Sequence, residues 1–182
     1  MTMSSSRLVV ANRIVSPALP PVHISIDPSF TYVGGPRFQL YAIAHAEQHL
    51  FVRADEQQTM RRLVWVQFAG FLPDNQRTYR YPVTQTVTLA GAQFIYDTST
   101  VELEAALAER PDSDLAAARN YLQAHGYRMP EKVRAQRFVY LIEPDKRNEL
   151  MIIYGESAEA AESEQTMTDQ ERALASFSVQ FL

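Results

Sequence analysis

Short apolar runs broken by turn residues, a pair of helix signals between residues 99 and 126, and a capping pattern near the C-terminus predict an α+β fold. The expected architecture is a large, curved antiparallel sheet of about eight strands, since short connections join neighbouring strands as hairpins. A helical pair is inserted before the last hairpin, and a C-terminal helix closes the chain. A partly closed β-barrel that uses this helix as a cover is the alternative.

The elements follow in chain order. Arg7 to Val15 is a short apolar run, ended by Ser16-Pro17 and Leu19-Pro20-Pro21. Consecutive prolines cannot donate to a ladder, so this is a connector or a sheet edge. In the next segment Val22, Ile24 and Ile26 alternate with His23, Ser25 and Asp27, the pattern of a half-buried strand. Asp27-Pro28 interrupts it, Phe30 to Val33 resumes it, and Gly34-Gly35-Pro36 turns the chain.

Phe38 to Arg53 admits three readings: one long curved strand, a hairpin turning at Glu47-Gln48, or a helix that sets His45 and His49 at i, i+4. Aromatic and β-branched neighbours favour strand. If the segment stays extended, Gln39, Tyr41, Ile43, His45, Glu47, His49, Phe51 and Arg53 share one face. Asp55 to Thr59 is a polar loop, and Arg61 to Phe71 has the continuous apolar character of a strand buried on both faces. Leu72 to Asn75 turns the chain, Tyr79 to Val83 is a short edge strand, and Thr84 to Leu89 and Gln93 to Tyr96 follow as strands.

Ser99 with Glu102 matches a capping box and predicts a helix over Val101 to Glu109, stopped by Pro111. Asp112 or Ser113 caps a second helix with Leu115, Ala118 and Leu122 on one face and Gly126 as its stop. Val133 to Glu143 and Glu149 to Gly155 form a hairpin around a five-residue loop, Pro144 to Asn148. Ala158 to Gln165 is acidic and small and reads as a loop. Thr168 and Glu171 make another capping box, leading into a Leu174, Phe177, Phe181 stripe expected on the terminal helix. That stripe is expected to dock on its own domain, with a homo-oligomer contact as the alternative. One domain over 1–182 is expected, with 1–6 and about 157–167 mobile.

Composition narrows the function classes. The chain has 182 residues, 46% of them apolar, with a charged fraction of 21% and a formal net charge of −4. This is ordinary for a soluble protein and leaves no basic excess of the kind nucleic-acid binding needs. Apolar runs fall well short of the roughly 20 residues of a membrane span, and the N-terminus lacks a long apolar core preceded by basic residues, so no signal peptide is expected. Without cysteine there is no thiolate chemistry and no disulfide, which fits the cytoplasm. The fifteen arginines against two lysines fit a codon bias first, and bidentate recognition of oxyanions second.

No dinucleotide fingerprint, phosphate-binding loop, HExxH or GxSxG is present, so no cofactor is named. His45, Glu47 and His49 have the residue types of a two-histidine, one-carboxylate metal site. On a straight strand, residues i and i+4 stand roughly 13 Å apart, too far for one ion. A hydrogen-bonded structural cluster is therefore preferred, with a metal-assisted enzyme kept as the alternative. Tyr41, His45, Glu47, His49, Arg53, Trp65 and Gln67 are the expected lining of a small-molecule pocket in the concave face of the sheet. Tyr79, Tyr81, Arg137, Tyr140 and Tyr154 supply further amphipathic side chains, equally suited to cross-strand packing. Arg61-Arg62 and the Asp145 to Asn148 tip are a third candidate, for an anion or an acidic partner. The leading function is non-covalent binding of a small organic ligand; an interaction scaffold is the remaining contrast.

Overall fold

A computed structural model describes residues 6–83, 85–164 and 166–182. Among the described residues twelve strands form two antiparallel sheets. The small sheet runs in the order β1 (Leu8–Val10), β2 (Arg13–Ser16), β3 (Val22–Ile26), β12 (Phe177–Phe181). The large one contains β4 (Thr31–Gly34), β6 (Ala44–Ala54), β7 (Met60–Phe71), β11 (Asn148–Ser157), β10 (Lys132–Leu141), β9 (Ala92–Glu102) and β8 (Thr86–Leu89), in that spatial order. A further strand, β5 (Arg37–Leu40), extends the β4 edge along β6. The α+β class holds, and the large sheet does not close into a barrel.

Alternation decides how the layers stack. On β6 and β7, Phe51, Val64, Val66 and Phe68 point to one face and pack with Ile14, Ile24, Ile26 and Phe177 of the small sheet. Leu50, Val52, Leu63 and Trp65 point to the other and pack with Ala118 and Leu122. Those two lie on α2 (Asp114–Ala124), the longer partner of α1 (Leu103–Glu109). The large sheet is thus covered on one side by the small sheet, joined there by Ala173, and on the other by α2, each layer burying an apolar face.

Several local signals read as expected. Val22, Ile24 and Ile26 are all buried. The Ser113 side chain caps α2 by accepting from Ala116 N, and Thr168 with Glu171 closes a capping box on α4 (Asp169–Ser176). The β10–β11 hairpin forms with Phe138 opposite Ile152.

Other expectations are corrected. The large sheet has the expected eight strands, but a second, four-stranded sheet accompanies it, begun where the first apolar run folds at Ala11-Asn12, both at positive φ, into the β1–β2 hairpin. The long 38–53 segment breaks at Tyr41-Ala42, also at positive φ, rather than at Glu47-Gln48. Ser99 and Glu102 belong to β9, which pairs with β10 as far as Lys132, so no box caps α1 and the helix starts at Leu103. Residues 79–83 form no strand, and Thr84 lies outside the described residues. The segment expected as a loop at 158–165 holds a short helix, α3 (Ala158–Ser163), capped by Ser157; residue 165 and residues 1–5 lie outside the described residues. The terminal helix stops at Ser176. Phe177 and Phe181 sit instead on β12, paired with Ile26 and Val22 of β3. That edge of β3 would otherwise expose unpaired backbone groups.

Gly35 links β4 to β5 where both run along β6. A Cβ there would meet the Gln48 carbonyl oxygen at 1.8 Å, so only glycine lets the backbone approach this closely. No helix among the described residues is long and apolar enough to cross a membrane.

Candidate functional site

The pleat of β6 places His45, Glu47, His49, Phe51 and Arg53 on the face turned toward the small sheet, as the spacing predicts. Glu47 is the hub. Arg7 Nη1 donates to its Oε2 at 3.1 Å, Arg37 Nη2 reaches Oε1 at 3.4 Å, and His49 Nε2 lies 2.8 Å from Oε1. On the other side of the imidazole, Nδ1 meets the Tyr32 hydroxyl at 2.9 Å. An ionised carboxylate only accepts, so Nε2 carries a proton, and in the neutral ring Nδ1 accepts from Tyr32. Burial alone would raise Glu47; the His49 hydrogen bond and the Arg7 and Arg37 charges outweigh it and hold the carboxyl at about 2.

Arg7 is itself fixed, stacked 3.8 Å over Phe68 and donating to Ser16 Oγ and to the carbonyls of Ala18 and Leu19. This cluster ties the start of the chain to the large sheet. His45 is exposed and stands apart from it, and Tyr41, half exposed at 50%, sits in the β5–β6 turn. Among the described residues no three His, Asp or Glu side chains converge as metal ligands. Both Glu47 oxygens are already engaged by cations and the imidazole, which leaves the metal-assisted reading without geometric support.

Trp65 and Gln67 face the opposite way. Cross-strand register sets Leu50 against Trp65 and Gln48 against Gln67, all on the helix-facing side. The predicted lining is therefore split between two faces of one sheet and does not form a single pocket. Around Gln67 a second polar cluster assembles. Gln48 Nε2 donates to Gln67 Oε1 at 3.0 Å and to the Asp114 carbonyl at 2.9 Å, and Gln67 Nε2 reaches Asp114 Oδ2 at 3.3 Å. Glu149 on β11, opposite Ala69 of β7, accepts from the Tyr81 hydroxyl at 2.6 Å. Arg137 stacks 5.2 Å from the Tyr81 ring and is fastened to Asp97 at 2.5 Å.

The charges in this cluster are poorly compensated. Burial pushes Glu149 up to about 7; the Asp114 charge adds to this, against the Tyr81 hydrogen bond and the Arg137 charge. Burial raises Asp114 as well, opposed by hydrogen bonds from Gln67 and the backbone. Burial and the Glu149 charge raise Tyr79 and Tyr81 in turn. Gln48, Gln67, Trp65 and Glu149 are each at most 4% exposed. Among the described residues Gln48 Oε1, Trp65 Nε1 and the Tyr79 hydroxyl are buried without a hydrogen-bond partner. Each such group costs about 1–3 kcal/mol when desolvated and unpaired.

The cover over this cluster is the irregular segment 72–83. Tyr79 N donates to Lys146 O at 2.8 Å, the Tyr79 ring lies 4.4 Å from Phe71, and Arg147 donates to the Leu72 and Arg77 carbonyls. Sequence reasoning missed Gln48, Asp114 and Glu149. A lone acid in the apolar run Glu149 to Tyr154 was the available signal for Glu149; Asp114 reaches the site only through the position of α2.

No family model, no curated protein and no solved structure matches the chain.

Proposed function

We propose that the protein binds a small organic amine or amide, without covalent chemistry, on the helix-facing side of its large sheet. The observation that carries this reading is the set of buried, unpartnered atoms on one face of the sheet, Gln48 Oε1 and the Tyr79 hydroxyl near the carboxylates of Asp114 and Glu149, and Trp65 Nε1 two positions along β7 from Gln67. Groups left unpaired in a low-dielectric interior gain most from a ligand that supplies the missing partners. An N–H donor satisfies Gln48 and the carboxylates, and a ligand oxygen satisfies Trp65. Segment 72–83 covers the cluster and is the element that swings aside for entry, with the Tyr81–Glu149 bond as its latch.

Trp65 is the sole tryptophan, so its emission reports on this cluster alone. Ligand-observed NMR against small amines, amides and polyols, read in parallel with Trp65 fluorescence, tests the reading. An amine or amide that binds should shift Trp65 emission and should weaken about tenfold or more in Gln67→Leu. Binding that leaves Trp65 unchanged and survives Gln67→Leu, or no binding by these classes, would sink the proposal in favour of an interaction module.

A further inference from the structure

We propose a second, separate site at the turn end of the β6–β7 hairpin, which takes the phosphate or carboxylate group of a small anionic molecule. A cleft of about 460 Å³ there is lined by Arg53, Arg61, Arg62, Glu159 and Ser163. None of these side chains belongs to the helix-facing cluster.

Register explains how three arginines meet. Arg53 on β6 and Arg62 on β7 are direct cross-strand partners, while the next pair is Ala54 with Met60. Arg61 is thus the extra residue of a β-bulge, which re-aims a side chain that strict alternation would send to the other face. All three arginines line the one cleft.

Like charges directly opposite one another destabilise a sheet. Such a pair is usually relieved by a nearby carboxylate; here Asp27 and Glu164 feel the Arg53 and Arg62 charges without forming ion pairs with them, and the other carboxylates are engaged elsewhere. Arg61 takes Asp55 and Glu159. Glu156, the partner of Arg62 on β11, is held by Arg172 through Nε at 3.0 Å and Nη2 at 2.5 Å, and also accepts from Tyr154. Among the described residues neither Arg53 nor Arg62 makes an ion pair; Arg53 has only a cation–π contact, 5.7 Å from the Phe30 ring. Two arginines on facing strand positions at a cleft, neither held in an ion pair, match the paired oxygens of a phosphate or carboxylate.

The test titrates the full chain with inorganic phosphate, and separately with succinate, at constant ionic strength. NMR of the arginine side-chain Nε–H groups is the readout. Saturable shifts at Arg53 and Arg62 are expected with at least one probe, and the stronger arm names the headgroup. Arg53→Gln is the fold-safe variant because that side chain is exposed and unpaired. It should weaken binding about tenfold or more, and in chloride buffer it should melt no lower than the wild type, since it relieves the repulsion. No saturable shift with either probe, or binding unchanged in both Arg53→Gln and Arg62→Gln, would overturn the site.

Discussion

The Tyr81 hydroxyl donates to Glu149 Oε2 across 2.6 Å and so fastens the irregular segment 72–83 to the centre of the large sheet. The acceptor is a carboxyl that burial raises to about 7. In the folded protein Glu149 therefore holds its proton more tightly than in the unfolded chain. Its contribution to stability is complete below the unfolded value near 4.5 and is lost as pH rises to about 7. The full penalty above that range is about 3 kcal/mol. Glu149→Gln should match the wild type in urea unfolding at pH 4 and exceed it at pH 8. Tyr81→Phe should raise the Glu149 titration further, because the lost hydrogen bond favours the ionised form; carboxyl-carbon NMR would show it.

Glu47 has the opposite sign. Held at about 2, it contributes stability that is fully present above the unfolded value near 4.5 and disappears as pH falls through about 2. Arg7→Ala removes the cation stacked on Phe68 and frees one carboxylate oxygen. We expect it to raise the Glu47 titration and to cost about 3 kcal/mol at pH 7, with the deficit shrinking toward pH 2. A deficit independent of pH would mean that the loss is packing on Phe68 alone.

Arg172 and Glu156 are both nearly fully buried and form a bidentate pair that anchors α4 to β11. Arg172→Met strands a buried carboxylate and should cost about 3–5 kcal/mol. Arg172→Met combined with Glu156→Leu should lose less than Arg172→Met alone. A double-mutant cycle in urea measures the coupling, and simple additivity would contradict the pairing.

Phe177 opens β12 and packs edge-on against Phe138 at 5.4 Å. Phe177→Ala should cost about 3–5 kcal/mol as a core truncation. Ser178, exposed on the outer face of the same strand, should tolerate alanine within about 0.5 kcal/mol. Equal effects at both positions would argue that the terminal strand does not dock.

Much of the fold was legible where the signal is local. Ser113 and Thr168 announce helix starts because a side-chain oxygen three residues before a free N–H is enough to cap it. The buried alternation of β3 and the apolar run of β7 are equally local. The C-terminal stripe shows the limit. Leu174, Phe177 and Phe181 fit a helical period, and Phe177, Val179 and Phe181 fit a strand period. The unpaired edge of β3 chose the second reading, and it lies about 150 residues away along the chain.

The same division governs the candidate sites. Once the segment is extended, the sequence by itself determines which residues of β6 share a face, because the pleat fixes that within one strand. It also determined that thiol chemistry is absent and where α2 and α4 begin. Only the tertiary structure decided that Gln48 stands beside Gln67 and Leu50 beside Trp65, which moves Trp65 and Gln67 away from Glu47 and toward Asp114 and Glu149. Register between strands is set by turns, bulges and the packing of whole faces. A one-residue bulge at Arg61 and a break at Tyr41-Ala42 changed which side chains meet, and neither has a strong local signature.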